Sequence, residues 1–269
     1  MRGVKYMIDA NSTTENFTRR ALWAQIDLDA AAHNMRVIRR HVGPDVRIAS
    51  VVKANAYGHG AVELSRVFTE SGADCFAVSS LDEGVELRRY AGITKDIFIL
   101  GHTDGRRTEE LLAYHIEPAV FNLKNAEYYS EEASRLGQTL QVHIAIDSGM
   151  SRVGFLPNEE TIEAIKKIAS LPRIEIRGIF THFATADEKD KTFTHEQFKR
   201  FMWVCTRLEN EGVHIPIRHC CNSAATLEMP AYHLDMVRPG IIQYGCEPSP
   251  DVPMEKFEFR PVMSLRCCA

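Results

Sequence analysis

Lys53 sits where an apolar run ends, in VVKANAYGHG (residues 51–60), with Tyr57 four positions on. Other chemistry-bearing residues recur after later apolar runs. DSGMSRVGF carries Asp147 and Arg152, and THF carries His182. HCCNS carries His219, Asn222 and Ser223, and VRPG carries Arg238 and Gly240. A lysine amine can form a Schiff base with an aldehyde cofactor. The phosphate of such a cofactor wants backbone N–H groups, a hydroxyl and small residues for close approach. Ser223, the Gly240 segment and the Tyr57 hydroxyl are suitable donors. A cofactor ring nitrogen needs a partner that sets its electronics, and an arginine there keeps it unprotonated because Arg does not readily surrender its proton. Taken singly, each residue is weak. A lone histidine at a strand end is usually a hydrogen-bonded structural group, and a lone lysine a solvated charge. As a set they outline a pyridoxal 5′-phosphate (PLP) site.

The elements that must position this set alternate. Residues 23–30 (WAQIDLDA) read as a strand entering a helix over 30–42, with Met35, Ile38 and Val42 at helical spacing. Strands are expected over 47–54, 75–80, 96–101, 116–120, 140–147, 174–183, 215–223 and 237–245. Helices are expected between them, one stopped by Gly72. The long helix over 194–212 has a capping-box start, Thr194 with Gln197. Strands separated by helices pair in parallel, and near-continuous apolar strands are covered on both faces. About eight or nine such units predict an α/β fold closed as a TIM-type (β/α)8 barrel, with function at the C-terminal ends of the strands. The alternative is an open doubly wound sheet, which wants a glycine fingerprint after its first strand; WAQIDLDA has none.

The 269 residues suit one such barrel. The predicted division is a polar leader over 1–20, the barrel over 21–258, and a remainder over 259–269. A net charge of −4 argues against nucleic-acid or anionic-membrane binding. No apolar run has the length of a membrane span and the N-terminus lacks a signal-peptide core, so a cytoplasmic location is expected. The seven cysteines include two adjacent pairs, which bridge only with strain, and none has C-x-x-C spacing. Free thiols and no metal site are expected.

WAQIDLDAAAHN, VVKANAYGHG, DSGMSRVGF, GIFTHFATADE, HCCNSAATL and VRPGIIQYG together resemble, in order, blocks of the bacterial alanine racemases. The likeness runs from about Leu22 to Val262. It implies that Lys53 is the Schiff-base lysine and the base for the D-enantiomer. Tyr57, Ser223, Gly240 and Ile241 resemble phosphate contacts, and Arg238 the arginine on the pyridine nitrogen. His182 resembles the histidine that contacts this arginine and the second base. Arg152 resembles the arginine near the substrate carboxylate, and His219 and Asn222 resemble wall and supporting groups. The implied activity is interconversion of L- and D-alanine for peptidoglycan, by proton exchange at Cα between groups on opposite faces.

Two departures accompany the resemblance. Ala145 stands where many members carry a carbamylated lysine, so a small anion or water is expected beside Arg152. Members also continue into a β-rich domain that supplies a catalytic tyrosine across a homodimer interface. RPVMSL (260–265) resembles the start of that domain and RCCA (266–269) is unlike its continuation, so 259–269 is expected to be a stub of it, and no tyrosine follows Tyr244. Impaired activity is therefore expected, and the homodimer is doubtful for this chain. A non-catalytic PLP carrier barrel and a serine racemase of the same family are the competing functions. A two-domain PLP decarboxylase ranks below them, since its glycine-rich phosphate loop is not apparent.

Overall fold

The computed structural model describes residues 22–267; the leader expected over 1–20 lies outside them. β1 (Leu22–Ile26) leads into α1 (Leu28–Val42), capped by Asp27 Oδ1, which accepts from Ala30 N at 2.9 Å. Met35, Ile38 and Val42 are buried, as their spacing predicts. β2 (Arg47–Val51), α2 (Lys53–Tyr57) and α3 (Ala61–Ser71) follow, and Gly72 at φ 125° ends α3. The chain then runs through β3 (Cys75–Val78), α4 (Leu81–Glu86), β4 (Ile97–Ile99), α5 (Thr108–Ala113), β5 (Ile116–Glu117), β6 (Ala119–Val120) and α6 (Leu123–Arg135). Next come β7 (Leu140–Ala145), α7 (Glu159–Ser170), β8 (Ile174–Phe180), α8 (Thr192–Asn210), β9 (Ile217–His219), α9 (Ser223–Glu228), β10 (Met236–Val237) and β11 (Met263–Cys267).

Parallel ladders join β10–β2–β3–β4–β5 and β6–β7–β8–β9. β5 and β6 are halves of one stave, split at Pro118, which has no N–H to give a ladder. The seam between β9 and β10 is closed by Asp235 N→Arg218 O at 3.2 Å and Arg238 N→Cys221 O at 2.9 Å. Among the described residues this makes a closed barrel of parallel staves, the expected fold. The staves are buried on both faces. Ala49, Val51, Cys75, Ala77, Phe98, Ile217 and Met236 pack together in one cluster. A larger cluster takes in the apolar faces of the surrounding helices.

Two expectations are corrected. The first predicted strand is not a stave: β1 pairs antiparallel with β11, from Leu22↔Cys267 to Ile26↔Met263. Alternation of strand and helix does not reveal which sheet a leading strand joins. The capping box at Thr194 also does not form. α8 begins two residues earlier, and Thr194 and Gln197 are buried inside it. Gln197 instead anchors a loop described below.

Cys75, Cys205, Cys220, Cys221, Cys246 and Cys267 are unbridged, as expected. The thiols of Cys220 and Cys221 both donate to the Tyr232 carbonyl, at 3.2 and 3.1 Å. Among the described residues no helix is long and apolar enough to cross a membrane.

Candidate active site

At the end of β2 the backbone winds the wrong way for L-residues. Ala54, Asn55, Ala56 and Tyr57 have φ of 51°, 53°, 52° and 54°. Such left-handed turns cost roughly 1–2 kcal/mol per residue, so neighbours must hold them. Ala56 N donates to Val52 O at 2.8 Å and Gly60 N to Asn55 O at 3.0 Å. Asn55 Oδ1 accepts from Ala61 N at 2.8 Å, and Glu83 Oε1 from Ala54 N at 2.7 Å. The Val51 carbonyl accepts from Gln243 Nε2 at 2.7 Å and from the Tyr244 hydroxyl at 2.8 Å. The His59 ring stacks on Tyr244 with centroids 4.6 Å apart. This clamp sets Lys53 Nζ 5.9 Å from the centre of the Tyr57 ring.

Lys53, Tyr57, His182, Asn222, Ser223, Arg238, Gly240 and Ile241 line one cavity of about 270 Å³. It lies at the C-terminal ends of the staves, where barrel enzymes carry their chemistry. A larger cavity of about 660 Å³ contains none of these residues. It opens beside Asp96, Thr139 and Glu175, at the N-terminal ends of the staves. Two expected site residues do not line the smaller cavity. Arg152 is exposed beside it, and its charge acts on Lys53 and His182. His219 is fully buried and touches Arg238 from beneath, Nη1 donating to Nδ1 at 2.9 Å. Arg238 Nη2 donates to Thr181 O, at 2.6 Å, and to Cys220 O. The expected contact between Arg238 and His182 is one of charge.

One wall brings Tyr57, Ser223 and Gly240 together. Gly240 N donates to Ser223 Oγ at 2.9 Å. A methyl group on Gly240 would lie 2.9 Å from the Tyr57 hydroxyl and 3.8 Å from Ser223 Oγ. Asn222 caps α9, its Oδ1 accepting from Ala225 N at 3.2 Å.

The electrostatics weaken the hold of Lys53 and His182 on a proton. Burial, then the charge of Arg152, lowers the proton affinity of Lys53, and Glu83 opposes this in part. Burial, followed by the charges of Arg238, Arg152 and Lys53, brings His182 down to about 3. Burial lowers Arg238 to about 10, still cationic at neutral pH. The cavity thus holds a fixed cation, a neutral imidazole and an amine with a weakened hold on its proton.

Several supporting residues carry no signal of their own in the sequence. Gln197 Oε1 accepts from Ala184 N at 2.8 Å and its Nε2 donates to His182 O at 3.1 Å, so it fixes the His182 loop. Gln243 and Tyr244 lie inside VRPGIIQYG, and only the fold brings them to Val51. Met150, Leu100 and Phe183 add apolar wall.

Residues 26–248 match the family model described as alanine racemase, N-terminal domain. An alanine racemase of Clostridium tetani is 48% identical over 247 residues, covering 92% of this chain and 63% of its own. One from Clostridium perfringens is 47% identical, with 92% and 64% covered. The chain thus spans just under two thirds of the length of these curated relatives. Among solved structures, alanine racemase of Clostridium difficile 630 in complex with cycloserine has a TM-score of 0.89 and 42% identity, covering 91% of this chain and 67% of that one. That of Bacillus anthracis with bound L-Ala-P has a TM-score of 0.84 and 36% identity. On sequence and structure alike, this chain belongs to the alanine racemase N-terminal domain family.

Proposed function

We propose that the chain is a PLP-binding barrel that exchanges the Cα proton of alanine, as the barrel part of an alanine racemase. The observation that carries this reading is the convergence of Lys53, Arg238 and the Tyr57–Ser223–Gly240 wall on one cavity. The donor set fits PLP. Gly240 leaves room for oxygens where any side chain would meet the Tyr57 hydroxyl. Arg238 is a buried donor, cationic at neutral pH and suited to a ring nitrogen. Lys53 is the amine suited to the aldehyde, and Ile241 completes the phosphate side.

When bound, PLP supplies the electron sink that makes a Cα proton of an attached amino acid removable. The chain's own residues do the rest. Lys53, with its lowered proton affinity, takes and returns a proton on one face. His182, neutral at working pH, supports a base on the other face without competing for its proton. Arg152 is the cation nearest the substrate carboxylate, and Asn222 and His219 hold the wall and Arg238 in place. The small cavity suits alanine; serine is the competing substrate.

The same reading places the protein in the cytoplasm, making D-alanine for the cell wall. It gives the protein no nucleic-acid or membrane partner. The division into a barrel over 21–258 and a stub of a further unit over 259–269 is part of the proposal.

The test is reconstitution with PLP in heavy water. An absorbance band of lysine-bound cofactor is expected, with loss of that band in Lys53→Ala. Cα deuteration of D-alanine is expected to be faster than that of L-alanine. A band without deuteration would favour a carrier, and a band that survives Lys53→Ala would overturn the assignment.

A further inference from the structure

Beneath Arg238 a line of polar side chains crosses an otherwise apolar barrel core. Arg238 Nη1 is 2.9 Å from His219 Nδ1. His219 Nε2 is 3.0 Å from His143 Nδ1, and His143 Nε2 is 2.7 Å from Glu117 Oε2. All four side chains are at least nine-tenths buried. The far end, Glu117, lines the cavity at the N-terminal ends of the staves. There Arg177 Nε stands 3.8 Å from its other oxygen.

The direction of this line is determined. A guanidinium only donates, so His219 Nδ1 must accept. Burial, with the charge of Arg238, keeps His219 neutral. Its single proton then sits on Nε2 and goes to His143 Nδ1. His143 in turn carries its proton on Nε2 and gives it to the carboxylate. Every N–H points from Arg238 towards Glu117.

The backbone is shaped around this line. The β7–β8 register slips between Val142 and His143, at the residue whose ring enters the line. Gly178, opposite on β8, leaves the room: a methyl group there would lie 2.3 Å from His143 Nδ1. Phe98 stacks on His143 at 4.7 Å and Phe180 on His219 at 5.1 Å, so neither ring can turn freely.

We propose that Glu117 and His143 are positioning residues of the cofactor site, forming a one-way hydrogen-bond line that holds His219 as the acceptor for Arg238. The line orients Arg238 within the cavity, and a carboxylate at the other end of the core balances its cation. This rests on the assignment of Arg238 to the cofactor site. The test therefore begins on protein without cofactor, where failure of the line and failure of that assignment are separable.

In 15N-histidine-labelled protein, long-range proton–nitrogen correlation spectra should show both His143 and His219 protonated on Nε2 alone. Protonation of either on Nδ1 overturns the proposal with no variant needed. In Glu117→Gln, which keeps the shape and an acceptor oxygen, the His143 Nε2–H signal should move upfield and the His219 Nε2–H signal should follow it. A His219 signal that stays put breaks the line. In Gly178→Ala and His143→Phe, Arg238 still holds His219 as the Nε2–H tautomer, but that N–H loses its acceptor and its signal should move upfield. The dissociation constant for PLP should rise about tenfold, the size of one lost buried hydrogen bond, while Glu117→Gln should stay within about threefold. An unchanged His219 Nε2–H signal together with unchanged PLP affinity in a folded Gly178→Ala overturns the proposal.

Discussion

A methyl group on Gly240 would lie 2.9 Å from the hydroxyl of Tyr57. Two segments far apart in sequence therefore meet where only a hydrogen atom fits between them. In Gly240→Ala the hydroxyl, at the far end of a side chain, must swing away. The expected result is a tenfold or greater loss of PLP affinity with little change in thermal midpoint. Absorbance titration and a melting curve on one preparation check both halves.

Arg152 lowers the proton affinity of Lys53 through space. Replacing it with Gln removes that charge, so Lys53 should hold its proton to higher pH. The rate of covalent PLP capture, followed against pH, should then rise at a higher pH in Arg152→Gln than in the parent. A profile at the same or lower pH would contradict the coupling.

His182 is held near 3 in the folded chain, against about 6.5 when unfolded. The unfolded chain therefore binds the extra proton between those values, and stability must rise with pH across that window. The contribution is complete above about 6.5 and is lost as pH falls towards 3. His182→Gln should lose less stability than the parent between pH 6.5 and 4 in urea denaturation. An equal loss in both would place the acid sensitivity elsewhere.

Ala54 is exposed and sits at φ 51°. Glycine there should relieve about 1–2 kcal/mol of left-handed strain and give back about 0.5–1 in unfolded-chain entropy. Ala54→Gly should thus gain about 0.5–1 kcal/mol, and Ala54→Val should lose stability. Equilibrium urea midpoints for the two variants check the sign.

Gln197 bonds both sides of the His182 loop from a buried place in α8. Gln197→Met keeps the volume but leaves the Ala184 N–H and the His182 carbonyl without it. A loss of about 1–3 kcal/mol is expected. Amide exchange should rise at Ala184 before it rises in the staves.

The sequence by itself determined the class of fold and which strand-end residues gather at one rim. Alternating strand and helix required a parallel sheet wrapped by helices. Polar residues at successive strand ends then had to meet at one rim, because a closed barrel brings those ends together. Eight of the ten expected residues do line one cavity. What tertiary structure alone decided depends on long-range contact. The left-handed turn after Lys53 is unfavourable locally and is held by Glu83, Gln243 and Tyr244. The neutrality of His182 comes from burial among three cations that lie apart in the chain. Gln197 reads locally as a helix cap, and only the packed loop of His182 turns it to another use. β1 looks like any other stave until β11 pairs with it. The polar line from Arg238 to Glu117 exists because a closed barrel folds four distant side chains into one core, where each must find a partner or bear the full cost of burial.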